Sequence, residues 1–491
     1  MVILVTTDEE PVLSLDEEIK KISMSDCDAP EVFFDMMAIH AISATLGMFF
    51  KPTNDKIGRP NVMLIMASPP GITRRSTVLR YHNALVDTAL MEYYKRINKI
   101  SPEDAWKLVN LSKIESGTEA GICDAIIENI NGIDVSDGRK IKIDSFRFSS
   151  PEYGDTFRKM STEKDPTAGV DKLLCRLWDG EGYTQRLSQR GRRRDEEEHS
   201  RFIPDNLYFT MFSSMQEPQQ YLKGNRRIVT SGLMRRLKIG YVKSQDLDNR
   251  HFDLFPPGRI QLIDAKGQLR TLAKKDLVER MVMYHDYLES KRRLYSSVKS
   301  EPGNNVFLDV HFHPDVETKL NKLNQEVENK VKISKSDYSI CKQSDAQHIG
   351  KFAMNLAIGE DNWIKARDIN SIHYPGSMMV EMRHYDKAIQ ILNIIDKNFE
   401  ETISGIAITE KMEEQELLSD KVERIIRKGG PKGKSHSDLL HALPGLKTDE
   451  LKEQIETLMK KGVIFLGDYT GDGKKRALVY VHKDFEEKFQ E

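Results

Sequence analysis

Cysteine is scarce in this chain: only four occur among 491 residues, and they lie far apart in the sequence. They form no C-x-x-C pair, so the sequence indicates neither a zinc knuckle nor a disulfide framework. Isolated thiols are typical of proteins in a reducing compartment, and we therefore expect a cytoplasmic protein. The four residues are Cys27, Cys123, Cys175 and Cys341.

Long apolar runs and an excess of one charge are also missing. No stretch approaches the ~20 apolar residues that a membrane span needs, and the apolar start at residues 1–5 is too short for a signal peptide. Lys and Arg number 74 against 76 Asp and Glu, which gives a net charge of −2. We therefore expect no membrane partner, and any binding of nucleic acid must come from local basic patches.

What the chain does have is length and a strongly ionic surface. At 491 residues it is expected to hold about three domains. Hydrophobic residues make up 39% of the chain, which is enough for ordinary cores, and charged residues make up 31%, above the usual ~25%. This composition predicts a multidomain globular protein, so its function has to be sought in the motifs.

The most informative segment runs from residue 62 to residue 79. It begins with the apolar run Val62–Met66, which predicts a buried strand, and Pro69–Gly71 then turns the chain. Arg75, Ser76 and Thr77 follow, and the apolar residues beyond them recur at helical spacing. Strand, glycine-containing loop, cation, hydroxyls and helix form the arrangement of a P-loop, in which a helix N-terminus faces a phosphate.

This arrangement predicts that the chain binds ATP together with Mg²⁺. Ser76 is the predicted magnesium contact, and the predicted phosphate-binding residues are Gly71, Arg74, Arg75, Ser76 and Thr77. Arg75 stands where the usual pattern G-x-x-x-x-G-K-[ST] has Lys, and Arg74 stands where it has the second glycine. Because arginine also binds phosphate, replacing the usual lysine by Arg75 is expected to weaken ATP hydrolysis more than ATP binding. The alternative is a strand–turn–helix corner that carries a surface pair of arginines.

A carboxylate after a later strand is the predicted catalytic group. Glu152 follows the predicted strand Ile141–Phe148 and is expected to orient or deprotonate the attacking water. The aspartate that usually precedes such a glutamate is replaced by Pro151, which leaves Asp144 and Asp155 as substitutes for a magnesium contact. The alternative is that Glu152 is an ordinary carboxylate at the start of a helix.

A polar sensor and an arginine finger are predicted further along the chain. Ser213 and Ser214 follow the predicted strand Leu207–Phe212, and Ser214 is the predicted nucleotide contact. Arg235 and Arg236 come next as predicted catalytic residues, one of which would reach the nucleotide of a neighbouring subunit. The alternative is that both arginines form surface salt bridges.

The C-terminal part predicts a linker-like helix and a small separate domain. Short helices followed by two strands around a glycine-containing turn are the pattern of a winged helix. The predicted helices are 421–427, 435–443 and 448–461, and the predicted strands are 463–466 and 477–481. In the turn, Lys474, Lys475 and Arg476 are predicted to contact DNA phosphates.

Two further segments bear on the DNA prediction, one against it and one for it. The third of these helices, which would enter the groove, carries Glu450, Glu453 and Glu456, so a winged helix used only for protein contacts is the alternative. The arginine-rich run at residues 190–194 is a second candidate for DNA contact, in the pore of a ring, and a solvated loop is its alternative.

Taken in order, these motifs resemble a family of P-loop proteins from phages, plasmids and integrated elements. The family is labelled primase/helicase-like and stands near the hexameric replicative helicases. The matching segments are Gly58–Gly71, Gly117–Ile122, Ser150–Gly154, Leu177–Gly180, Met215–Pro218 and Ser231–Arg236. The helices around Gln347–Ala357 and Tyr385–Ile391 resemble its C-terminal lid, and a lid followed by a winged helix is similar to minichromosome-maintenance helicases. The resemblance covers about residues 30 to 400.

This resemblance implies an α/β fold with a P-loop NTPase core of the AAA+ or RecA type, a helical lid and a winged helix. The implied divisions are an N-terminal helical segment at 1–57, the core at 58–260, the lid at 261–411, and the linker and winged helix at 412–491. The implied function is an ATP-dependent DNA helicase or translocase in the replication of a mobile element. Its implied partners are DNA and further copies of the chain in a hexameric ring. The alternative is a non-catalytic P-loop scaffold, or a DNA-binding replisome adaptor with a degenerate nucleotide site.

Overall fold

The computed structural model divides the chain into two compact units, Met1–Ser404 and Gly405–Glu491. The fold is of mixed α/β class, with mostly helices and with parallel sheets. The residues that it describes are 3–5, 13–71, 73–160, 165, 167, 169–185, 201–223, 228, 232–247, 261–263, 269–271, 274–299, 307–334, 341–360, 378–443, 446–469 and 477–490.

Helices form most of the regular structure in these ranges. In the first unit they are α1 (Leu15–Asp26), α2 (Glu31–Leu46), α3 (Arg75–Asn98), α4 (Pro102–Ser112), α5 (Glu119–Asn131), α6 (Gly154–Met160), α7 (Val170–Asp179), α8 (Gln219–Leu222), α9 (Leu233–Arg236), α10 (Lys274–Lys299), α11 (Pro314–Ser334) and α12 (Asp345–Gly359). Helix α13 (Met382–Lys428) begins in the first unit and ends in the second. The second unit continues with α14 (His436–Ala442), α15 (Thr448–Lys460) and α16 (Glu486–Gln490).

The strands are mostly short. They are β1 (Ile3–Val5), β2 (Phe50–Pro52), β3 (Met63–Ala67), β4 (Lys113–Ile114), β5 (Ile133–Asp134), β6 (Lys140–Ile141), β7 (Ser145–Phe148), β8 (Tyr183–Gln185), β9 (Arg201–Ile203), β10 (Tyr208–Met215), β11 (Lys238–Tyr241), β12 (Gln261–Ile263), β13 (Leu269–Thr271), β14 (Leu308–Phe312), β15 (Met378–Val380), β16 (Ile464–Tyr469) and β17 (Ala477–His482).

The largest described sheet has five strands in the order β11-β3-β10-β7-β4, and every neighbouring pair is parallel. Strands β3 and β10 are buried along their whole length, as is typical of the middle of a parallel sheet that is covered on both faces. Because parallel strands end at the same edge, the loops that follow β3, β7 and β10 meet there. Ligands of open α/β sheets bind in the crevice at that edge.

Helix α2 is the core helix of the first unit, packed against α1, α3, α12 and β10. The segment Glu31–Phe49 is the one helix, within the described ranges, that is long and apolar enough to cross a membrane. However, 89% of its most apolar stretch is buried inside the protein. The expectation that no run approaches this length was therefore wrong for this segment, and burial in the core explains why the helix is so apolar.

The second unit is a bundle of short helices closed by a hairpin. Strands β16 and β17 pair antiparallel, and Lys434 forms an isolated bridge with Tyr480. Ser435 and Asp438 form a capping box at the start of α14, which fixes that helix end. The core of the unit is formed by Val422, Ile426, Leu439, Leu451, Ile455, Leu458 and Ile464.

Two segments differ from the sequence-based expectation. The stretch from Gln261 was expected to be helical, but β12 and β13 pair antiparallel there and the helix begins only at Lys274. Strand β12 also pairs with β1, so pairing with a distant segment overrides the local pattern. The linker-like helix and the helix at 421–427 are parts of α13, a continuous helix that no proline interrupts.

Candidate functional site

The candidate site lies at the carboxyl edge of the five-stranded sheet. The loop after β3 begins at Ser68, the segment after β7 begins at Ser149, and Ser214 lies near the end of β10. The backbone N–H of Ser214 donates to the Ser150 carbonyl (2.9 Å), and the N–H of Tyr153 donates to the Ser214 carbonyl (2.8 Å). The structure thus brings the predicted loop, glutamate and serines to one edge of one sheet.

In the described part of the loop between β3 and α3, two residues have a left-handed backbone. Gly71 has a φ of +80° and Arg74 a φ of +52°. Arg74 stands where the P-loop pattern has glycine, and the backbone there keeps the conformation that glycine adopts freely. For a non-glycine residue this conformation costs roughly 1–2 kcal/mol, which marks the turn as a constrained feature. The hydroxyls of Ser68 and Thr73 hydrogen-bond across the loop.

Helix α3 begins directly after this turn and is 24 residues long. The side chain of the N-cap residue Arg74 makes no capping hydrogen bond, and the N–H groups of Thr77 and Val78 both donate to the Arg74 carbonyl. The N-cap side chain therefore does not neutralise the positive end of the helix dipole. Such an end favours an anion.

Arg75 is half-buried at this helix end. Its Nη1 atom is buried and has no hydrogen-bond partner within the described ranges. Burial lowers the pKa of the Arg75 guanidinium, and the nearby Glu152 carboxylate opposes that shift. Since arginine stays charged in proteins, Nη1 is a buried donor without an acceptor, a state that costs roughly 1–3 kcal/mol.

Tyr221 holds the predicted catalytic carboxylate. Its hydroxyl donates to Glu152 Oε1 (3.3 Å), and the side chain comes from α8, which packs on α6. The approach depends on Gly154 at the start of α6, because a Cβ there would lie 2.3 Å from the Tyr221 ring. No motif in the sequence pointed to Tyr221.

The two predicted sensor serines are engaged in holding the segment after β7. The Ser213 hydroxyl accepts from the Ser150 N–H (3.0 Å), and the Ser214 hydroxyl donates to the Pro151 carbonyl (2.6 Å). Both serines are fully buried. Ser214 therefore holds the backbone of Pro151, the residue next to Glu152.

A second link joins helix α3 to the segment after β7. Asn83 and Ser149 exchange two side-chain hydrogen bonds of 2.9 and 3.1 Å. Asn83 lies seven residues after Ser76, on the same face of the helix. That spacing was a signal that sequence reasoning could have used, but it was missed.

The described side chains do not make a magnesium site by themselves. Ser76, the predicted magnesium contact, is exposed. Asp144 precedes β7 and so lies at the opposite, amino edge of the sheet, which excludes it as a substitute for the missing magnesium-binding aspartate. Asp155 is exposed and pairs with Arg158 (2.7 Å). No group of three or more His, Cys, Asp or Glu side chains in the described ranges is arranged to hold a metal ion. An ion at this edge would depend on nucleotide phosphates for most of its ligands.

The two predicted finger arginines lie away from the loop. Both arginines come directly before β11, which runs parallel to β3. They therefore lie at the amino edge of the sheet, whereas the loop follows β3 at the carboxyl edge. Arg236 pairs with Asp179 (2.5 Å), and Arg235 donates to Gln343 (3.2 Å). Neither arginine is near the loop of its own chain.

The predicted DNA contacts fall outside the described residues. Lys474, Lys475 and Arg476 and the arginine run at 190–194 all belong to the parts of the chain that the structure does not describe. On α15 the glutamates Glu450, Glu453 and Glu456 are exposed. That face of the helix is therefore acidic toward solvent.

Comparison with known proteins adds no relative. No protein-family model matches the chain, and a search of the curated proteins finds no match.

Proposed function

We propose that this chain binds the phosphates of ATP at the loop from Ser68 to Thr77 and acts as a ring-forming DNA helicase or translocase. The observation that carries the nucleotide part is the buried Nη1 atom of Arg75, which lacks an acceptor beside an uncapped helix N-terminus. A phosphate oxygen is the acceptor that such a donor favours most, since hydrogen bonds between charged groups are the strong ones.

Each residue at the edge has a distinct part in this proposal. Arg75 neutralises phosphate charge, and the N-terminus of α3 adds its dipole. Glu152, held by the hydroxyl of Tyr221, orients a water molecule, and Ser214 fixes the neighbouring carbonyl of Pro151. When bound, ATP supplies a phosphoanhydride bond to be broken, and the protein contributes position and charge.

The ring and DNA parts of the proposal draw on the sequence and on one geometric fact. Arg235 and Arg236 lie at the far edge of their own sheet, so a finger role needs a second copy of the chain in a head-to-tail contact. In that role Arg236 would have to leave its ion pair with Asp179 and contact a phosphate of the nucleotide bound to the neighbouring copy. Helices followed by a hairpin in the second unit support a winged helix, with Lys474, Lys475 and Arg476 as its DNA contacts.

A second candidate is a non-catalytic nucleotide-binding scaffold or adaptor. The observation that favours it is Pro151, which occupies the position where the usual magnesium-binding aspartate would stand next to Glu152. Nearby carboxylates do not replace it, because Asp144 lies at the other edge of the sheet. In this alternative the loop binds nucleotide and the carboxyl edge of the sheet does not hydrolyse it.

The nucleotide proposal is tested by calorimetric titration of ATP, with and without magnesium. Wild type is expected to bind, and Arg75→Ala is expected to weaken binding about 10-fold or more, because a charged hydrogen bond contributes ~1.5–3 kcal/mol. Arg80→Ala, on an exposed position of the same helix, is the matched control and should bind like wild type. Absence of binding at millimolar ATP would rule out the loop assignment.

Steady-state hydrolysis separates the two candidates. The motor is expected to turn over ATP faster with DNA and to lose turnover in Glu152→Gln while keeping ATP affinity. Binding without turnover in wild type, under every DNA condition, would leave the scaffold as the function. Light scattering with nucleotide and DNA should show a multimer for the motor, and a strict monomer would contradict the finger role.

A further inference from the structure

A pair of cations, the fully buried Lys351 and the partly buried Arg59, lies at the amino edge of the sheet, away from the loop. Lys351 on α12 is fully buried, and its Nζ donates to Asn61 Oδ1 (2.6 Å) and lies 3.8 Å from the centre of the Trp178 ring. Asn61 precedes β3, and both its amide hydrogens are used: Nδ2 donates to the carbonyls of Trp178 (3.0 Å) and Phe209 (3.1 Å). The lysine therefore has a fixed position but only a neutral hydrogen-bond partner.

Arg59 is the second cation. Its guanidinium lies between the rings of Tyr208 (4.6 Å) and Phe307 (4.4 Å) and donates to the carbonyls of Asn206 (3.0 Å) and Met48 (2.5 Å). Its Nε is buried and has no partner within the described ranges. Burial lowers the pKa of Arg59 to about 10.

A cavity of about 250 Å³ adjoins this cluster, and its walls include Arg59, Asn61 and Trp178. The Trp178 Nε1–H is buried and has no acceptor in the described part of the chain. Gly58 also lines the cavity, and a Cβ at that position would lie 3.5 Å from Lys351 Nζ. The absence of a side chain at Gly58 thus keeps space open in front of the ammonium group.

The described walls of the cavity offer donors but no unpaired carboxylate. Their two acidic residues are Asp55, which pairs with Lys51 (3.3 Å), and Asp179, which pairs with Arg236 (2.5 Å). No described carboxylate pairs with Lys351 or Arg59. Arg59 and Arg236 disfavour the charged form of Lys351, and Asp179, which favours it, is already paired with Arg236. A charged Lys351 therefore needs a further anion beside it, because buried charges are usually paired.

From these contacts we infer that the cavity bounded by Gly58, Arg59, Asn61 and Trp178 binds a small oxyanion of the phosphate type, with Lys351 as its buried counter-charge. Lys351 Nζ, Arg59 Nε and Trp178 Nε1 would donate to the oxygens. This site is separate from the proposed nucleotide site, because it lies at the opposite edge of the sheet. The oxyanion is either free phosphate or the phosphate group of a small phosphomonoester.

The inference also predicts linked protonation. Burial lowers the pKa of Lys351 well below its usual range; Arg59 and Arg236 push it the same way, and Asp179 opposes them. A bound anion favours the charged lysine, so binding should take up protons and should tighten as the pH falls. Sulfate is the probe for this, since its charge is constant across the neutral and alkaline range.

The experiment uses the full chain carrying Arg75→Ala, so that the loop does not contribute. Inorganic phosphate, sulfate and AMP are titrated by calorimetry in buffers of different ionisation enthalpy. Phosphate and sulfate are expected to bind with proton uptake, and sulfate affinity is expected to fall as the pH rises. If AMP binds as tightly as phosphate, the site accepts a phosphomonoester; if only phosphate binds, it is a free-ion site.

Two further substitutions make the result decisive. Lys351→Met in the same background should abolish binding and proton uptake, while Lys56→Met, an exposed control, should leave both unchanged. Trp178→Phe keeps an aromatic ring beside the Lys351 ammonium group but removes the Nε1–H donor, so it should weaken phosphate and sulfate binding about 10-fold. This variant tests the inference even if Lys351→Met fails to fold. Absence of phosphate and sulfate binding in Arg75→Ala, or binding unchanged by both substitutions, would overturn the inference.

Discussion

At the scale of single residues, the turn before α3 shows a conformation that its sequence does not favour. Arg74 has a φ of +52°, although it carries a long side chain. Glycine would adopt this backbone without steric cost, whereas any residue with a Cβ is strained there. The position thus keeps a left-handed backbone with a residue that adds a positive charge.

The first prediction concerns this strain. Arg74→Gly is expected to be more stable than Arg74→Ala by about 1 kcal/mol, because only alanine retains the Cβ that the left-handed conformation disfavours. Urea unfolding of the full chain, followed in the transition of the first unit, measures the difference.

Arg80 provides the matched control for that comparison. It is an exposed residue inside the same helix, where alanine should be more stable than glycine by about 1 kcal/mol. If glycine and alanine rank in the same order at both positions, the left-handed conformation at Arg74 is contradicted.

At the scale of elements, two short helices position the predicted catalytic glutamate. Helix α6 begins directly after the segment that carries Glu152, and α8 supplies Tyr221, whose ring lies against Gly154. Both helices are too short to be stable alone, so their packing on each other holds them in place. The geometry of Glu152 therefore depends on a contact between elements that lie far apart in sequence.

The second prediction tests that contact with a double-mutant cycle. Gly154→Ala is expected to destabilise the first unit by ~1–3 kcal/mol, because the new Cβ overlaps the Tyr221 ring. In the Tyr221→Ala background the same change should cost much less, since the ring is gone. Tyr221→Phe, which removes only the hydroxyl, should leave stability nearly unchanged and reduce ATP turnover.

Additivity of Gly154→Ala and Tyr221→Ala in thermal or urea unfolding would contradict the packing contact.

At the scale of the whole molecule, the first unit buries several histidines in neutral form. Burial lowers the pKa of His82 to about 3 and that of His285 to about 4. Burial also holds the pKa values of His40 and His348 well below the usual range. His40 and His82 hydrogen-bond each other (2.8 Å) beside Phe212, so the pair joins α2 and α3 over the sheet.

The third prediction is acid lability with a defined sign. Since these folded pKa values lie below the unfolded value of ~6.5, the unfolded chain binds more protons, and stability is fully present above about pH 6.5. It is lost as the pH falls toward the folded values of about 3 and about 4. His82 and His285 are each expected to lower the free energy of unfolding by roughly 2 kcal/mol between about pH 6.5 and about pH 5.

Urea unfolding across this pH range measures how the free energy of unfolding changes with pH. His285→Gln should reduce that slope by the equivalent of about one proton. His441→Gln, at an exposed position of the second unit, is the control. Stability that stays constant down to about pH 5 would show that the buried histidines do not resist protonation.

Much of the local structure could be predicted from the sequence. The strand before the loop and the helix after it were both predicted. Apolar periodicity acts over a few neighbouring residues, so a single segment reveals it. The antiparallel strands at Gln261–Thr271 were missed because a distant strand stabilises them.

By itself, then, the sequence determined the mixed α/β character, the strand–loop–helix of the candidate site and the helices and hairpin of the second unit. Only the tertiary structure decided at which edge of the sheet each polar residue lies. It separated Asp144, Arg235 and Arg236 from the loop, and it joined Lys351 to Asn61, a residue 290 positions away. Strand order and register set these positions, and both depend on pairing between distant segments, which short-range patterns do not encode.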